Sequence, residues 1–494
     1  MTSPYDTYVS PLATRNASRG MLRLWSPRHK FNTWRRVWLA VAEAQHELGL
    51  PVTKEQVEEL RAVVQRGISD AEISAAERYE RDLRHDVMSH VHALGDSCPL
   101  ARGIIHLGMT SQDVVCNADA TIIMDATNLC LDKLARVVFA LAAFAGRHAG
   151  MAAMGLTHYQ PAQPTTVGRR AVGWAYDLTI CLREMNTGSR WMPIRGLRGA
   201  TGTQASYLAL FEGDGARVDA LERRFAERFA NHTALHGPLG QTYPRVEDAF
   251  ALGVLASCAA VLHKIATDIR LLCNRKEVDE PFEDKQIGSS AMPYKRNPMR
   301  CERICGLTRF VMNLVGNAYD TAATQWLERT LDDSSNRRLS LPEAFLALDG
   351  ALDLMHNVAS GLLVHEAMVR RNLMAELPFM ATENILMACV RAGGDRQHYH
   401  ELIRVHAQAA GMRVKHEGLE NDLLDRLRAD RAFWSRARGG SLSDELDWDG
   451  LLDPMKYIGR SIEQTERFIK DVVEPLREQY KHVIAPLDDS GPRV

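Results

Sequence analysis

The chain is short of the features that mark several protein classes. It has nine cysteines in 494 residues and no Cys-x-x-Cys pair; the nearest two, Cys301 and Cys305, are one helical turn apart. That spacing fits neither a disulfide framework nor a cysteine-based zinc site, so reduced thiols are expected. It has no excess of either charge, with 60 Lys and Arg against 62 Asp and Glu and a net charge of -2. A broad electrostatic attraction to nucleic acid or to an anionic membrane is therefore not expected. Its longest apolar run, Ala249 to Leu262, is too short to cross a bilayer and reads as a buried helix. Met1 to Arg15 is polar, with no apolar core of a secretion signal, which points to the cytoplasm. There is no low-complexity stretch, no repeat, no Walker loop and no persuasive metal-ligand spacing.

Strand signals are weak as well, since no alternating series bounded by hairpin turns stands out. Helical periodicity dominates. Trp34, Val37, Val41, Ala44 and Leu48 form one apolar face, with Asn32 as a candidate cap and Gly49 and Pro51 as the stop. A second stripe runs through Ile123, Cys130, Leu134, Val137, Leu141 and Phe144, with Asp125, Asp132, Lys133 and Arg136 off that face. Asp248 to Leu272 is apolar nearly all round in its first half, so it must be covered on every side. The reading is all-α, with long helices packed as a bundle. Turn-rich patches lie near Gly95–Gly108, Gly196–Gly202, Pro281–Pro298 and Gly439–Pro454.

The segment with most chemistry is Gly288-Ser289-Ser290-Ala291-Met292-Pro293-Tyr294-Lys295-Arg296-Asn297-Pro298. Small residues allow a mobile loop. Pro298 suits the first position of a helix with Asn297 as its cap. The loop would then end at a helix N-terminus, whose N–H groups and dipole favour anions, and Lys295 adds a full charge. A solvated surface loop fits the same residues.

This loop resembles the signature of the fumarase/aspartase/argininosuccinate lyase superfamily at every defining position. Two further superfamily regions follow the expected order: Thr110-Ser111-Gln112-Asp113 with Asn117, and Thr157-His158-Tyr159-Gln160-Pro161-Ala162-Gln163. Within the superfamily the chain is similar to the adenylosuccinate lyases, in the branch that includes the animal enzymes. Ser10 to Ala13, Leu83 to Met88, Gly199 to Ser206, Gly240 to Tyr243, Arg329 to Arg338 and Leu377 to Asn384 carry that similarity, which spans roughly residues 8 to 480.

The resemblance implies three helical domains, expected at 1–111, 112–364 and 365–494, with the long central helices building the core of a homotetramer whose active sites draw on three subunits. It implies elimination of fumarate from adenylosuccinate, giving AMP, and from SAICAR, giving AICAR, without a cofactor and without a metal. By resemblance Ser289 is the base and His158 the acid, with His85 and Lys295 in the catalytic group. Arg15, Asn16, Arg84, Asp86, Thr110, Ser111, Thr157, Gln241, Asn297, Arg303, Arg329, Ser334 and Arg338 would bind substrate. Taken alone, His85, Ser89 and His92 are one polar helix face, and the 329–338 stretch is a charged, solvated one. The substrate's two carboxylates and phosphate would call for such arginines. A sister lyase of the superfamily acts on substrates without phosphate, so the Arg329–Arg338 cluster discriminates against it. A structural protein on the same fold would not need Ser289, His158, His85 and Lys295 together. One departure stands out: Arg15-Asn16 occupies the place of the family's common Arg-Tyr, which implies altered nucleotide affinity.

Overall fold

The computed structural model describes residues 3–190, 192–230, 234–434, 442, 446–448 and 450–484. Its first helices are α1 (Arg19–Leu24), α2 (Pro27–Glu47), α3 (Lys54–Arg66), α4 (Asp70–Leu83) and α5 (Asp86–Ser97). Then comes α6 (Ser111–Arg147), a hairpin of β1 (Ala152–Thr157) and β2 (Gln160–Thr166), α7 (Val167–Arg190), α8 (Ala205–Leu210), α9 (Gly215–Phe229) and α10 (Val246–Asn274). A minimal strand β3 (Val278–Asp279) precedes α11 (Met299–Ala323) and α12 (Asp333–Gly361), and pairs with β4 (Leu363–Val364). Next are α13 (Glu366–Met380), α14 (Thr382–Arg391), α15 (Arg396–Met412) and α16 (Leu423–Ala429). The all-α reading holds, with two small antiparallel additions. Much of the expected turn patch at Gly439–Pro454, Gly439 included, lies outside the described residues.

The bundle is built by α6, α7, α10, α11 and α12. Helix α6 packs on α7 and α12, and α10 packs on α7, α11 and α12. The predicted stripe of α6 is fully buried, from Ile123 through Phe144. Two other apolar cores stand apart from it. One joins α2 and α5 to Tyr207 and α9; the other joins α14, α15 and α16.

Three local expectations are corrected. Asn32 does not cap α2, because Ser26 does, accepting from the His29 N–H with Pro27 at the first position. Asn32 lies inside the helix and its Oδ1 accepts from the Ile68 N–H at 2.7 Å. Lys133 is not off the buried face: it sits 4% exposed between Asp349 and Asp353, at 2.5 and 2.8 Å. Two carboxylates from α12 compensate a charge that burial alone would not tolerate. Finally, α10 is not covered on all sides within one chain. Its inner face, Leu252 to Ile269, is buried, but Phe250 is 60% exposed and opens onto an apolar cavity of about 390 Å³ beside Ile123, Met192 and Val254. By length and composition α10, and the stretch 366–391, could each cross a membrane; α10 instead packs its inner face in the bundle.

Candidate active site

A polar cleft of about 670 Å³ opens between the α4–α5 junction, the start of α6 and the start of α12. Helix α4 stops because Arg84 takes a left-handed conformation, φ 54°, which turns the chain sharply into α5. A non-glycine residue holds that conformation at a cost of about 1 kcal/mol. The turn gathers Arg84, His85 and Asp86 on the cleft wall. His85 is the N-cap of α5: its Nδ1 accepts from the Met88 N–H at 3.3 Å. An accepting Nδ1 leaves the proton of the neutral ring on Nε2, which lies 3.3 Å from Ser111 Oγ. His85 thus presents an N–H donor to the cleft. The Ser89 hydroxyl donates to the His85 carbonyl, and His92 stacks on Tyr79, so the three do not form one functional face.

Asp86 accepts from the Val87 N–H at 2.8 Å and from Arg338 Nη2 at 2.7 Å. Burial works against its charge, but those two partners outweigh it and hold the carboxyl below its usual range. The charged stretch 329–338 is partly interior rather than a solvated face. Asp333 takes Arg329 at 2.8 Å and Arg245 at 2.6 Å, and these arginines overcome burial to lower its pKa. Arg337 is held by Asp248 at 2.5 Å and Asp119 at 3.1 Å. Ser334 stands in the first turn of α12, on the cleft wall. Gln241 is fixed by its N–H to the Glu328 carbonyl and its amide to the Ala200 carbonyl. Thr110 caps α6 through Asp113, a buried carboxylate that also takes Arg195, Tyr207 and the Arg198 and Gly199 N–H groups.

The structure therefore brings Arg84, His85, Asp86, Ser111, Gln241, Arg329, Ser334 and Arg338 to one cleft, with Thr110 adjoining. The remaining candidates do not line it. Thr157 and His158 sit at the tip of the β1–β2 hairpin, where His158 and Tyr159 are both left-handed, φ 52° and 59°. Strand β2 follows the tip, and helix begins only at Val167.

Ser289, Lys295 and Asn297 occupy a self-closed loop. Ser289 Oγ accepts from the Met292 N–H at 3.1 Å, and Asn297 donates to the Gly288 carbonyl at 2.9 Å. A Cβ on Gly288 would fall 2.2 Å from the Lys295 carbonyl oxygen, so only glycine lets the loop ends meet. Asn297 is thus a clasp and not a helix cap, and Pro298 precedes the helix. The anion site expected at that helix end is also corrected. Glu280 already accepts from the Arg300 and Cys301 N–H groups, at 3.0 and 2.6 Å, and the Met299 and Glu302 N–H groups donate to the Asn297 and Pro298 carbonyls. The loop's positive charge comes from its own Lys295 and Arg296 rather than from the end of α11. Arg15 lies near Arg303 and contributes, after burial, to lowering its pKa. The Asn16 amide donates back to the Pro11 carbonyl at 3.0 Å.

Sequence reasoning missed Lys30, Asp119, Arg245 and Arg337 in the cleft wall and Glu280 under the loop. The partners of Asp119, Arg245, Arg337 and Glu280 lie from twenty to more than two hundred residues away, and Lys30, held by its neighbours Phe31 and Trp34, carries no local pattern that marks a cleft. Among the described residues, no group of three or more His, Cys, Asp or Glu side chains is arranged to hold a metal ion.

Residues 14–313 match a family described as Lyase, and residues 378–468 match Adenylosuccinate lyase C-terminus. The chain is 48% identical over 481 residues to an adenylosuccinate lyase of Saccharomyces cerevisiae, covering 97% of this chain and 98% of that protein. It is 43% identical to an adenylosuccinate lyase of Schistosoma mansoni, covering 97% and 98%. Among solved structures, a fumarate lyase from Mesorhizobium sp. BNC1 superposes with a TM-score of 0.77 at 23% identity, covering 95% and 99%. A 3-carboxy-cis,cis-muconate lactonizing enzyme from Pseudomonas putida gives 0.77 at 23%, covering 96% and 99%; both of these likenesses speak for the fold.

Proposed function

The chain belongs to the adenylosuccinate lyase family, and from that premise we propose that it eliminates fumarate from adenylosuccinate, giving AMP, and from SAICAR, giving AICAR. The observation that carries this reading is the cleft that gathers Arg84, His85, Asp86, Arg329, Ser334 and Arg338 from two distant segments, a cationic wall with hydrogen-bond donors suited to a nucleotide phosphate.

The chemistry takes a proton from the carbon beside a succinyl carboxylate, breaks the carbon–nitrogen bond and returns a proton to the nitrogen. Ser289 is the base, His158 the acid, and Lys295 holds the carboxylate that takes up negative charge. A serine alkoxide needs a closed, water-poor site with a cation at hand; closure of the 288–297 loop over substrate, carrying Lys295, supplies that. Arg15, Asn16, Thr157, Asn297 and Arg303 complete the substrate contacts. None of these steps calls for a cofactor.

Ser289, His158 and His85 occupy three separate places in one chain, and the exposed apolar side of α10 lacks a cover. Both observations support a homotetramer in which different subunits supply the loop, the hairpin and the cleft. The division at 1–111, 112–364 and 365–494 is our working domain description; the apolar cores cross these bounds, since residues 194–230 pack with α2 and residues 468–483 pack with the bundle. The nine cysteines are unpaired and eight of them buried, in keeping with a cytoplasmic enzyme.

The test mixes Ser289→Ala and His158→Ala subunits after dissociation and follows adenylosuccinate absorbance. Each parent is expected to be inactive. The mixture is expected to recover up to about a quarter of wild-type turnover, since some sites receive both intact groups. Recovery no greater than the parents, with subunit exchange verified, sinks the shared site; full activity in the Ser289→Ala parent sinks the base assignment.

A further inference from the structure

The cations of the cleft differ in whether their charge is already answered. Arg338 is bound to Asp86, Arg329 and Arg245 to Asp333, and Arg337 to Asp248 and Asp119. Lys30, in the first turn of α2, also lines the cleft, yet its ammonium forms no ion pair and no hydrogen bond with any described residue. What holds it is aromatic. Its Nζ lies 4.9 Å from the Trp34 ring centroid and 5.8 Å from that of Phe31. Phe31 itself lies against the His90 ring, tilted by 31° with centroids 3.8 Å apart. A cation over an indole face is oriented without being neutralised. Asp119, Asp86 and Glu80 attract it from a distance, while Arg338 repels it and burial works against its charge.

We infer that Lys30 is a further substrate-binding residue, whose ammonium joins Arg338 on the phosphate of the nucleotide. The inference rests on the reading of this cleft as the phosphate end of the site. Two physical points favour it. An incoming phosphate must displace Asp86 from Arg338, whereas at Lys30 it has no direct ion pair to break, the carboxylates there acting only from a distance. And because Lys30 is partly desolvated, an anion beside it relieves the cost of its burial, so the attraction is stronger than at an open surface. Phosphate rather than a succinyl carboxylate is the partner because Arg338, the neighbouring cation that repels Lys30, is the one assigned to phosphate; a dianion there satisfies both.

Lys30→Met keeps the stem on Trp34 and removes the charge; Lys30→Arg keeps the charge. Lys30→Met is expected to raise KM for adenylosuccinate about tenfold with kcat lowered less than twofold. It is also expected to raise the inhibition constant for AMP, which has a phosphate and no carboxylate, by a similar factor. That for fumarate, which has carboxylates and no phosphate, is expected to stay within twofold. Lys30→Arg is expected to restore most of the AMP affinity. A purely structural role would lower thermal stability and leave the AMP-to-fumarate ratio unmoved, which overturns the inference. So does a rise for fumarate alone. Arg338→Gln is measured alongside: if it weakens AMP and Lys30→Met does not, only the Lys30 assignment falls. If neither weakens AMP, the phosphate reading of the cleft falls with it. Should Met at position 30 prevent folding, Lys30→Gln is read in the same assay.

Discussion

The cleft wall and the 288–297 loop are opposite solutions to placing polar groups. In the wall, every arginine but Arg84 is tied to a carboxylate, and several of those pairs are buried. In the loop, Ser289 and Asn297 bond only within the loop itself, and Tyr294 is 85% exposed. The wall is preorganised by the fold; the loop is a closed unit hinged on Glu280, which takes the first-turn N–H groups of α11, and on Arg300, which grips the Pro281 carbonyl and Glu283. On the function proposed above, a wall that is rigid in advance would fix where the nucleotide sits, and a loop that carries its own closure would move over it as one piece.

The largest effect expected from breaking this contrast is on stability, and on the wall alone. Arg337→Met strands Asp248, 1% exposed, without its cation. Losing one partner of a buried pair costs about 3–5 kcal/mol. Ser289→Ala removes one hydroxyl from a self-contained turn and is expected to leave the unfolding free energy within about 0.5 kcal/mol of wild type, as substitutions away from buried features do. Denaturant unfolding of the two variants side by side checks this. Equal losses would mean that the loop is part of the core after all.

How much of this was legible in the sequence follows from the range of the forces involved. The α6 stripe was readable because burial repeats every three to four residues along one helix. Lys133 was misread because its compensation comes from Asp349 and Asp353, more than 200 residues on. Asn32 lost to Ser26-Pro27, a stronger start, and was used to pin the turn before α4. The hairpin escaped because Ala152–Thr166 has no alternating pattern and its tip residues, His158 and Tyr159, are not the glycine or asparagine such turns favour. Motif matching pointed to Ser289 and His158, but nothing local could show that they lie off the cleft of their own chain. The Glu280 carboxylate, nineteen positions before Met299, took an anion site that the bare helix end had promised.

A middle-sized effect should separate the wall from the loop by pH. His90 packs against Phe31 behind Lys30, and burial first, then Arg35, depresses its pKa to about 4. The unfolded ring titrates near 6.5. The folded state therefore favours the neutral ring: the stability it contributes is complete above about 6.5 and is lost as pH falls towards 4. Thermal midpoints are expected to drop across that window, and His90→Gln is expected to flatten the drop. Asp86 and Asp333, both held below their usual range, add a further loss only at lower pH. An unchanged slope in His90→Gln would assign the acid sensitivity elsewhere.

The smallest effect concerns Asn16. Its amide is spent on the Pro11 carbonyl, and its backbone lies so close to α12 that a Cβ on Gly350 would come within 2.8 Å of the Asn16 carbonyl oxygen. The turn's path is thus set by Gly350 and by Ser18, whose N–H and hydroxyl both donate to Asp349, and not by the side chain at 16. A tyrosine there would give up one exposed hydrogen bond and gain a phenol that reaches outward beside Arg15. Asn16→Tyr is expected to lower KM for adenylosuccinate by about two- to fivefold, roughly the 0.5–1 kcal/mol of one additional neutral hydrogen bond, with kcat unchanged. A KM identical to wild type would mean that the wall and Arg15 already saturate the phosphate, and that the residue at 16 has no part in holding it.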